Sequence, residues 1–494
     1  MRPSRRTRSR VRGGALVPFG LAALVGVLAA GLLAAGLLAP ATAPARAATA
    51  PAPVRDRARL TGPLLAPVAA DAKRPTTAGL TAALAPLLRD KTLGGRVSVS
   101  VRDLVTGKQL YGRAPTTGFT PASTTKLLTT AAVLSLLGPD HRFTTRVVLD
   151  PVPKPTTKTP APSPPTIVLV GGGDPLLSSQ AALTRATKRG HVVYPDATTA
   201  TIDELATRTA AALTADGHTR VALRYDASLF SQPLSPHWRE VYVDSSVVAP
   251  VSALWVDEAR IKAPFSTRVA DPAKDAAARF AVLLAKRGIT VSGAPTPQRA
   301  VRGATTVSSI ESAPLDSIVE HVLLTSDNDG AEVLARQVAL AAGARPDFAG
   351  ATSAVLARLQ SLGVNTAGVR LYDGSGLSRD GRIPASTLTA LIDVIAAGRH
   401  PELSAVLSGL PVGGFDGALA NRFRVVGASG AGYVRAKTGT LTGLVSLAGT
   451  VMTRDGALLS FAVMTDRTGA TDARPGADRI AATIAGCGCR SGSG

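Results

Sequence analysis

The chain has 494 residues, of which 45% are hydrophobic and 18% charged, enough apolar side chain to bury several cores and too much for a disordered polymer. At roughly 150 residues per domain, this length suggests about three domains. Aromatics make up only 4%, which leaves the cores to Ala, Val and Leu and argues against a stacking platform for single-stranded nucleic acid.

The first twelve residues hold six arginines and no acid, and an uncharged apolar stretch follows from about Gly13 to Leu38. This is the pattern of an export signal, and the small-residue site Ala45-Arg46-Ala47 offers cleavage after Ala47. The stretch is also long enough to span a bilayer, which leaves an uncleaved anchor as the alternative. Arg5-Arg6 is followed by polar and basic residues, which argues against a twin-arginine signal. The expectation is an extracytoplasmic protein, secreted or associated with the wall or membrane. Residues 1–47 contain seven arginines and no acids, so the formal charge falls from +21 to +14 without them. An exported chain of that charge has no obvious nucleic acid to meet and favours anionic wall polymers or a lipid surface. A solvated arginine-rich surface without a partner is the alternative.

Residues 48–75, rich in Ala, Pro and Arg, read as a linker. Arg96 to Arg102 alternates polar and apolar residues as a half-buried strand does, Thr106-Gly107 supplies a turn, and Gln109 to Tyr111 completes a hairpin. Thr124 to Leu137 is an apolar helical run stopped by Gly138. Seven prolines between 151 and 165 make that stretch a surface loop. Behind it, the strand Ile167 to Val170 enters the tight turn Gly171-Gly172-Gly173-Asp174-Pro175, which lacks the Lys and Ser/Thr of a nucleotide loop. Helix and strand then alternate: helix Asp203 to Ala215, strand Arg220 to Asp226, helix Ala273 to Arg287, strand Thr290-Val291. Two helices flank Ser326, a glycine turn lies at Asp373-Gly374-Ser375-Gly376, and a further helix covers Ser386 to Ala397. The end reads as three antiparallel strands, Tyr433 to Thr440, Leu444 to Met452 and Ala457 to Thr465, the last two joined at Asp455-Gly456. The two cysteines, Cys487 and Cys489, sit in a Gly- and Ser-rich tail and lack the further ligands of a zinc site. A local disulfide and a frayed tail without a role are both open.

Three clusters carry chemistry. Ser123 and Lys126 are three apart at a helix start and share one face of its first turn. A serine N-cap followed by an ordinary lysine is the plain alternative. A capping box would want Glu or Gln at that position, however, and a cation in the first turn opposes the helix dipole, which disfavours the ammonium as a general base requires. Ser326-Asp327-Asn328 precedes the helix containing Glu332 and, taken alone, reads equally as a loop and cap. Lys437-Thr438-Gly439-Thr440 lies on a strand and is followed by Gly443. Glycine within a strand points to the close approach of another backbone, for which a peptide substrate is the candidate.

The order S-x-x-K, S-D-N, K-T-G on helix, loop and terminal strand resembles the set shared by class A β-lactamases and penicillin-binding proteins. Pro121-Ala122-Ser123, Gly171 to Pro175, Asp373 to Arg379, Leu410-Pro411 through Asp416-Gly417 and Ala436 to Thr440 resemble the class C low-molecular-mass penicillin-binding proteins over most of residues 75–485. The interval of 203 residues between Ser123 and Ser326 suits that class, which inserts extra domains there. The resemblance implies Ser123 as nucleophile, Lys126 as its base and Ser326 as proton carrier to the leaving amine. It also implies Asn328 on the substrate amide, Lys437 and Thr438 on the terminal carboxylate, and the backbone N–H groups of Ser123 and Thr440 as oxyanion hole. No metal or other cofactor is implied. The partners would be peptidoglycan stem peptides, with β-lactams as covalent inhibitors.

The expected fold is α/β, a β-lactamase/transpeptidase-like domain with an antiparallel sheet flanked by helices, built from residues 76–139 and 306–486. One or two smaller domains are inserted at 140–305, and residues 487–494 form a tail. The expected activity is that of a serine-type D-Ala-D-Ala carboxypeptidase or endopeptidase working through an acyl-enzyme. A serine β-lactamase and an inactive wall-binding protein are the alternatives. Intact Ser123, Lys126, Ser326 and Lys437 argue against the second, because a scaffold needs none of them.

Overall fold

The computed structural model describes residues 72–151, 164–188, 199–261, 267–469 and 472–487. The expected signal, most of the 48–75 linker, the middle of the proline-rich loop and the last seven residues lie outside the described residues. In chain order come α1 (Thr77–Leu84), β1 (Arg96–Asp103), β2 (Gln109–Arg113), β3 (Gly118–Phe119) and α2 (Thr125–Leu137). Then follow β4 (Thr144–Leu149), β5 (Thr166–Val170), α3 (Gln180–Lys188), α4 (Ile202–Ala215), β6 (Arg220–Asp226), α5 (Val241–Asp244) and α6 (Pro272–Ala285). After β7 (Thr290–Val291), β8 (Thr296–Pro297) and β9 (Thr305–Glu311) stand α7 (Leu315–Thr325), α8 (Asn328–Ala341) and α9 (Phe348–Ser361). The chain closes with β10 (Ile383–Pro384), α10 (Ala385–Ala396), α11 (Ser404–Ser408), β11 (Val434–Leu441), β12 (Leu444–Met452), β13 (Leu458–Asp466) and α12 (Arg474–Gly486).

The main sheet has the order β11-β12-β13-β1-β2 and is antiparallel throughout, so the first strands of the fold pair with the last. Alternate side chains of β12 and β13 serve two cores. Leu447, Val451, Phe461 and Val463 pack with α1 and with Ala477, Ile480, Ala481 and Ile484 of α12. On the other face, Ala448, Ala462 and Met464 join a core built from α2, α7, α8, α9, α10 and α11. This corrects the half-buried reading of β1, because Ser98 and Ser100 are buried too. Their hydroxyls have partners inside: Ser98 Oγ donates to the Ala114 carbonyl at 3.0 Å, and Ser100 Oγ shares a 2.9 Å bond with Thr389 Oγ1 of α10. Small hydroxyl side chains let the helix layer approach, and satisfied polar groups can be buried at little cost.

A second sheet, built from residues 144–311, has the order β7-β6-β5-β4-β9, with β8 also pairing β6. β5, β6, β7 and β8 pair in parallel, and β4 pairs antiparallel with β5 and β9. Its core is covered by α4 and α6. Their starts follow local chemistry: Thr201 Oγ1 accepts from Glu204 N at 3.2 Å, and Asp271 Oδ1 accepts from Lys274 N at 3.0 Å ahead of a proline in the first turn. The Gly171–Gly173 run is explained by packing. A Cβ on Gly171 would lie 2.3 Å from the Ala253 carbonyl oxygen, and one on Gly172 would lie 2.0 Å from that of Thr144. Cys487 is buried and disulfide-bonded.

The described residues all fall within one compact unit, Arg59–Gly494. Among them, no helix is long and apolar enough to cross a membrane. Phe461 has no exposed surface. Phe461→Ala is therefore expected to destabilise the fold by about 3–5 kcal/mol, measured as a lower urea midpoint at unchanged slope.

Candidate active site

The site forms where three backbone segments meet at the β11 edge of the main sheet. Ser123 stands in a 3-10 turn, Ala122–Thr124, that leads into α2, and its side chain caps nothing. The turn is held by two hydroxyls on one carbonyl: Thr124 Oγ1 donates to the Pro121 oxygen at 2.8 Å and Ser446 Oγ donates to the same oxygen at 2.5 Å. Ala122 adopts φ 47°, a left-handed conformation that a residue with a Cβ keeps only when its surroundings hold it there. Gly439 of β11 and Gly376 leave room for it. A Cβ on Gly439 would meet Ser446 Oγ at 2.1 Å and the Pro121 oxygen at 2.7 Å, and one on Gly376 would meet the Ala122 oxygen at 1.9 Å. The backbone that Gly439 admits on its Cβ side is the Ser123 turn itself.

Lys126, one turn along α2, has no exposed surface. Its Nζ donates to Ser123 Oγ at 2.9 Å, Asn328 Oδ1 at 2.7 Å and the Ser375 carbonyl at 2.9 Å. Three oxygens match the three N–H bonds of an ammonium. Burial nevertheless lowers its pKa to about 8, against the upward pull of Asp327, Glu332, Asp373 and Asp329. The direction expected from the helix dipole holds, but its main cause is loss of water.

Ser326 ends α7 in the left-handed region, φ 60° and ψ 35°, and Asp327 starts α8 by accepting from Asp329 N and Gly330 N, both at 2.9 Å. This sharp reversal brings Ser326 Oγ to 2.9 Å from Lys437 Nζ of β11. Asn328, besides meeting Lys126, donates through Nδ2 to the Val247 carbonyl at 2.9 Å. Lys437 is fully buried and also donates to the Thr438 carbonyl at 3.0 Å. Burial, with the charge of Lys126 adding to it, pushes its pKa well below the ordinary lysine range. Thr438 is buried on the same strand, whereas Thr440, opposite Val445, is exposed. Direct hydrogen bonds thus join Ser123, Lys126 and Asn328 in one group and Ser326 and Lys437 in another, the two connected through the backbone of the Ser326-Asp327-Asn328 loop, and Thr438 and Thr440 continue the strand beside them.

Sequence reasoning missed the groups that hold this arrangement from behind. Glu332 of α8 is buried and accepts from Gly374 N at 3.1 Å and Ser375 N at 2.8 Å, which fixes the turn whose carbonyl faces Lys126. Asp373 accepts from Trp238 Nε1 at 2.8 Å and from Gly376 N at 2.8 Å. The Ser375 and Val247 carbonyls leave no trace in a side-chain motif.

Asp327 heads the charges that favour the Lys126 ammonium, and its own carboxyl is raised to about 6, chiefly by burial. Asp327→Asn keeps a cap for α8 while removing that charge. The Lys126 titration midpoint of about 8 should therefore be displaced to lower pH in this variant, measured by NMR of the isotope-labelled lysine side chain. A midpoint that stays put or moves up would contradict this electrostatic account.

The model of the D-Ala-D-Ala carboxypeptidase 3 (S13) family matches residues 80–266 and 261–486. The chain is similar to carboxypeptidase DacB of Mycolicibacterium smegmatis, with 36% identity over 432 residues that cover 86% of this chain and 88% of that protein. It is 29% identical over 460 residues to the D-alanyl-D-alanine carboxypeptidase of an Actinomadura species, covering 79% and 82% of the two chains. In fold it is similar to the crystal structure of penicillin binding protein 4 from Haemophilus influenzae, with TM-score 0.64, 20% identity and coverage of 81% of this chain and 97% of that one. Motif order, site geometry and the match over both halves of the chain agree: this protein belongs to the D-Ala-D-Ala carboxypeptidase 3 (S13) family.

Proposed function

We propose that this chain is an exported serine-type D-Ala-D-Ala carboxypeptidase and endopeptidase that acts on peptidoglycan stem peptides and is acylated by β-lactams. The observation that carries this reading is the 2.9 Å contact of Ser123 Oγ with a buried lysine whose pKa is about 8, because such a lysine is neutral often enough near neutral pH to take a proton.

In this mechanism Ser123 Oγ attacks the carbonyl carbon between the two terminal D-alanines, and its proton passes to Lys126 Nζ. The oxyanion is held by the backbone N–H groups of Ser123 and Thr440, a contribution of roughly 3 kcal/mol per donor in other acyl-transfer enzymes. The C–N bond then breaks. Ser326, linked to Lys437, relays the proton taken up by Lys126 to the leaving amine, so that D-alanine departs, an ester remains on Ser123 and Lys126 is neutral again. Water, deprotonated by Lys126, cleaves that ester and restores the serine. Asn328 would bond the substrate amide, while Lys437 and Thr438 would take the terminal carboxylate. Lys437 suits this task, since an arriving carboxylate supplies the counter-charge that its pocket lacks and raises its pKa again. The catalytic domain would consist of residues 76–139 and 306–486 with the 140–305 region inserted.

The basic surface fits association with anionic wall polymers. A cavity of about 510 Å³ on the second sheet is lined by Arg142, Arg146 and Arg299 with one acid, Asp226.

Incubation with benzylpenicillin followed by intact-protein mass spectrometry tests the reading. A long-lived adduct is expected on the native chain and not on Ser123→Ala. Rapid turnover of the drug without a lasting adduct would favour a β-lactamase, and neither adduct nor turnover would favour an inactive scaffold. Lys437→Met is expected to lower the acylation efficiency roughly 10- to 100-fold, as loss of a bond to a charged carboxylate would, measured as the second-order rate of fluorescent-penicillin labelling.

A further inference from the structure

Behind the Ser326-Asp327-Asn328 loop lies a cluster of charges that the mechanism above does not use. Asp329 is buried on the first turn of α8. Its Oδ1 accepts from Ala249 N at 2.6 Å, and its Oδ2 is ion-paired with Arg268 Nη2 at 2.5 Å. Arg268 is itself buried. It donates through Nη1 to the Glu258 carbonyl at 2.9 Å and stands 3.5 Å from the Glu258 carboxylate, which also pairs with Arg260. Glu258, His321 of α7 and Asp327 place one ligand atom each within 4.8 Å of one another. Such a trio invites a metal ion, but the positive charge a metal would bring is already present as the guanidinium groups of Arg260 and Arg268.

The backbone that carries Glu258 is strained. Asp257, Glu258 and Ala259 are three consecutive non-glycine residues in the left-handed region, at φ 57°, 53° and 59°. Each such residue costs about 1–2 kcal/mol, and such a run persists only where its surroundings hold it. Here the Asp257 carboxylate accepts from Ser179 N and Ser179 Oγ at 2.8 Å each and from Arg279 Nη1 at 3.0 Å, and Ala259 is fully buried. The strained turn thus aims Glu258 at the loop between α7 and α8, and the Arg268–Asp329 pair ties α8 to the same segment.

We infer that Glu258 and Arg268 are positioning residues for acylation: Glu258 pairs with Arg268, Arg268 pairs with Asp329, and this chain holds Ser326 and Asn328 in register with Lys437 and Lys126. Neither needs to touch substrate. Asn328 is braced twice from this side, by its own bond to the Val247 carbonyl and by the Asp329 bond to Ala249 N two residues further on. A shift of this loop moves Ser326 Oγ away from Lys437 Nζ and Asn328 Oδ1 away from Lys126 Nζ together.

The inference rests on the proposed acylation at Ser123, and its test separates the two. With the full chain, active sites are counted by covalent penicillin labelling, and the acylation rate constant and the preceding binding constant are then measured per counted site. Arg268→Met is expected to lower the rate constant by roughly 10- to 100-fold, as a misplacement of reacting groups does, with a smaller change in binding. Arg268→Lys should recover part of the loss. Arg268→Met combined with Asp329→Asn should lie closer to the native chain than Arg268→Met alone, because the stranded carboxylate is gone. Glu258→Gln, which keeps the shape and removes the charge, carries the same test if Arg268→Met fails to fold. Native rate constants per counted site, with only the count or the melting temperature reduced, would overturn the inference. So would losses that simply add in the double variant. An absence of labelling in the native chain would instead overturn the acylation reading, and this inference with it.

Discussion

Taking a lysine ammonium out of water costs several kcal/mol unless its hydrogen bonds are replaced and its charge is answered. Lys126 meets both conditions with groups drawn from three separate parts of the chain: Ser123 in its own helix entry, Asn328 at the start of α8 and the Ser375 carbonyl from the turn after α9. Each of those parts is held in turn. Glu332 fixes the Ser375 turn, Asp327 caps α8, and two hydroxyls on the Pro121 oxygen hold the Ser123 turn against β12. The compensation is incomplete by design of the surroundings: the carboxylates stand near enough to pull the Lys126 pKa upward, yet burial still wins. A residue left in that balance accepts a proton readily, and in the proposed mechanism Ser123 is the proton source beside it.

Lys437 shows the same physics with a different outcome. It is as deeply buried as Lys126, but its neighbours are a hydroxyl, a carbonyl and another lysine. Such a site is short of negative charge until an anionic group arrives. In the proposed mechanism the two lysines, connected through the backbone of the Ser326-Asp327-Asn328 loop, divide the work between proton transfer and carboxylate binding through their surroundings alone, since their side chains are identical.

Much of this was legible in the sequence because the chemistry depends on side chains whose spacing is local. Ser123 and Lys126 share one turn, Ser326 and Asn328 flank a helix start, and the last strands are marked by apolar runs and an Asp455-Gly456 turn. Helix and strand limits fell within a few residues, as with Asp203 to Ala215 against Ile202–Ala215, where the Thr201 cap sets the start. The backbone carbonyls of Ser375 and Val247 were not legible, because only the tertiary fold brings them to Lys126 and Asn328. Polar alternation in β1 misled, since serine satisfies its hydroxyl inside the protein as readily as outside. Gly439 signalled a close approach correctly, and on its Cβ side what approaches is the Ser123 turn. The charges behind the S-D-N loop escaped notice because Glu258 and Arg268 are far from it in sequence and ordinary in type.

The central claim is that burial sets the Lys126 amine near neutrality, and the most direct measurement is its titration. Carbon-13 labelling of lysine side chains, with Lys126→Arg to assign the resonance, reports that ionisation by NMR in the ligand-free chain. The account predicts a midpoint of about 8. A midpoint at the ordinary lysine value of 10.5 would contradict it and would require another group to take the proton from Ser123.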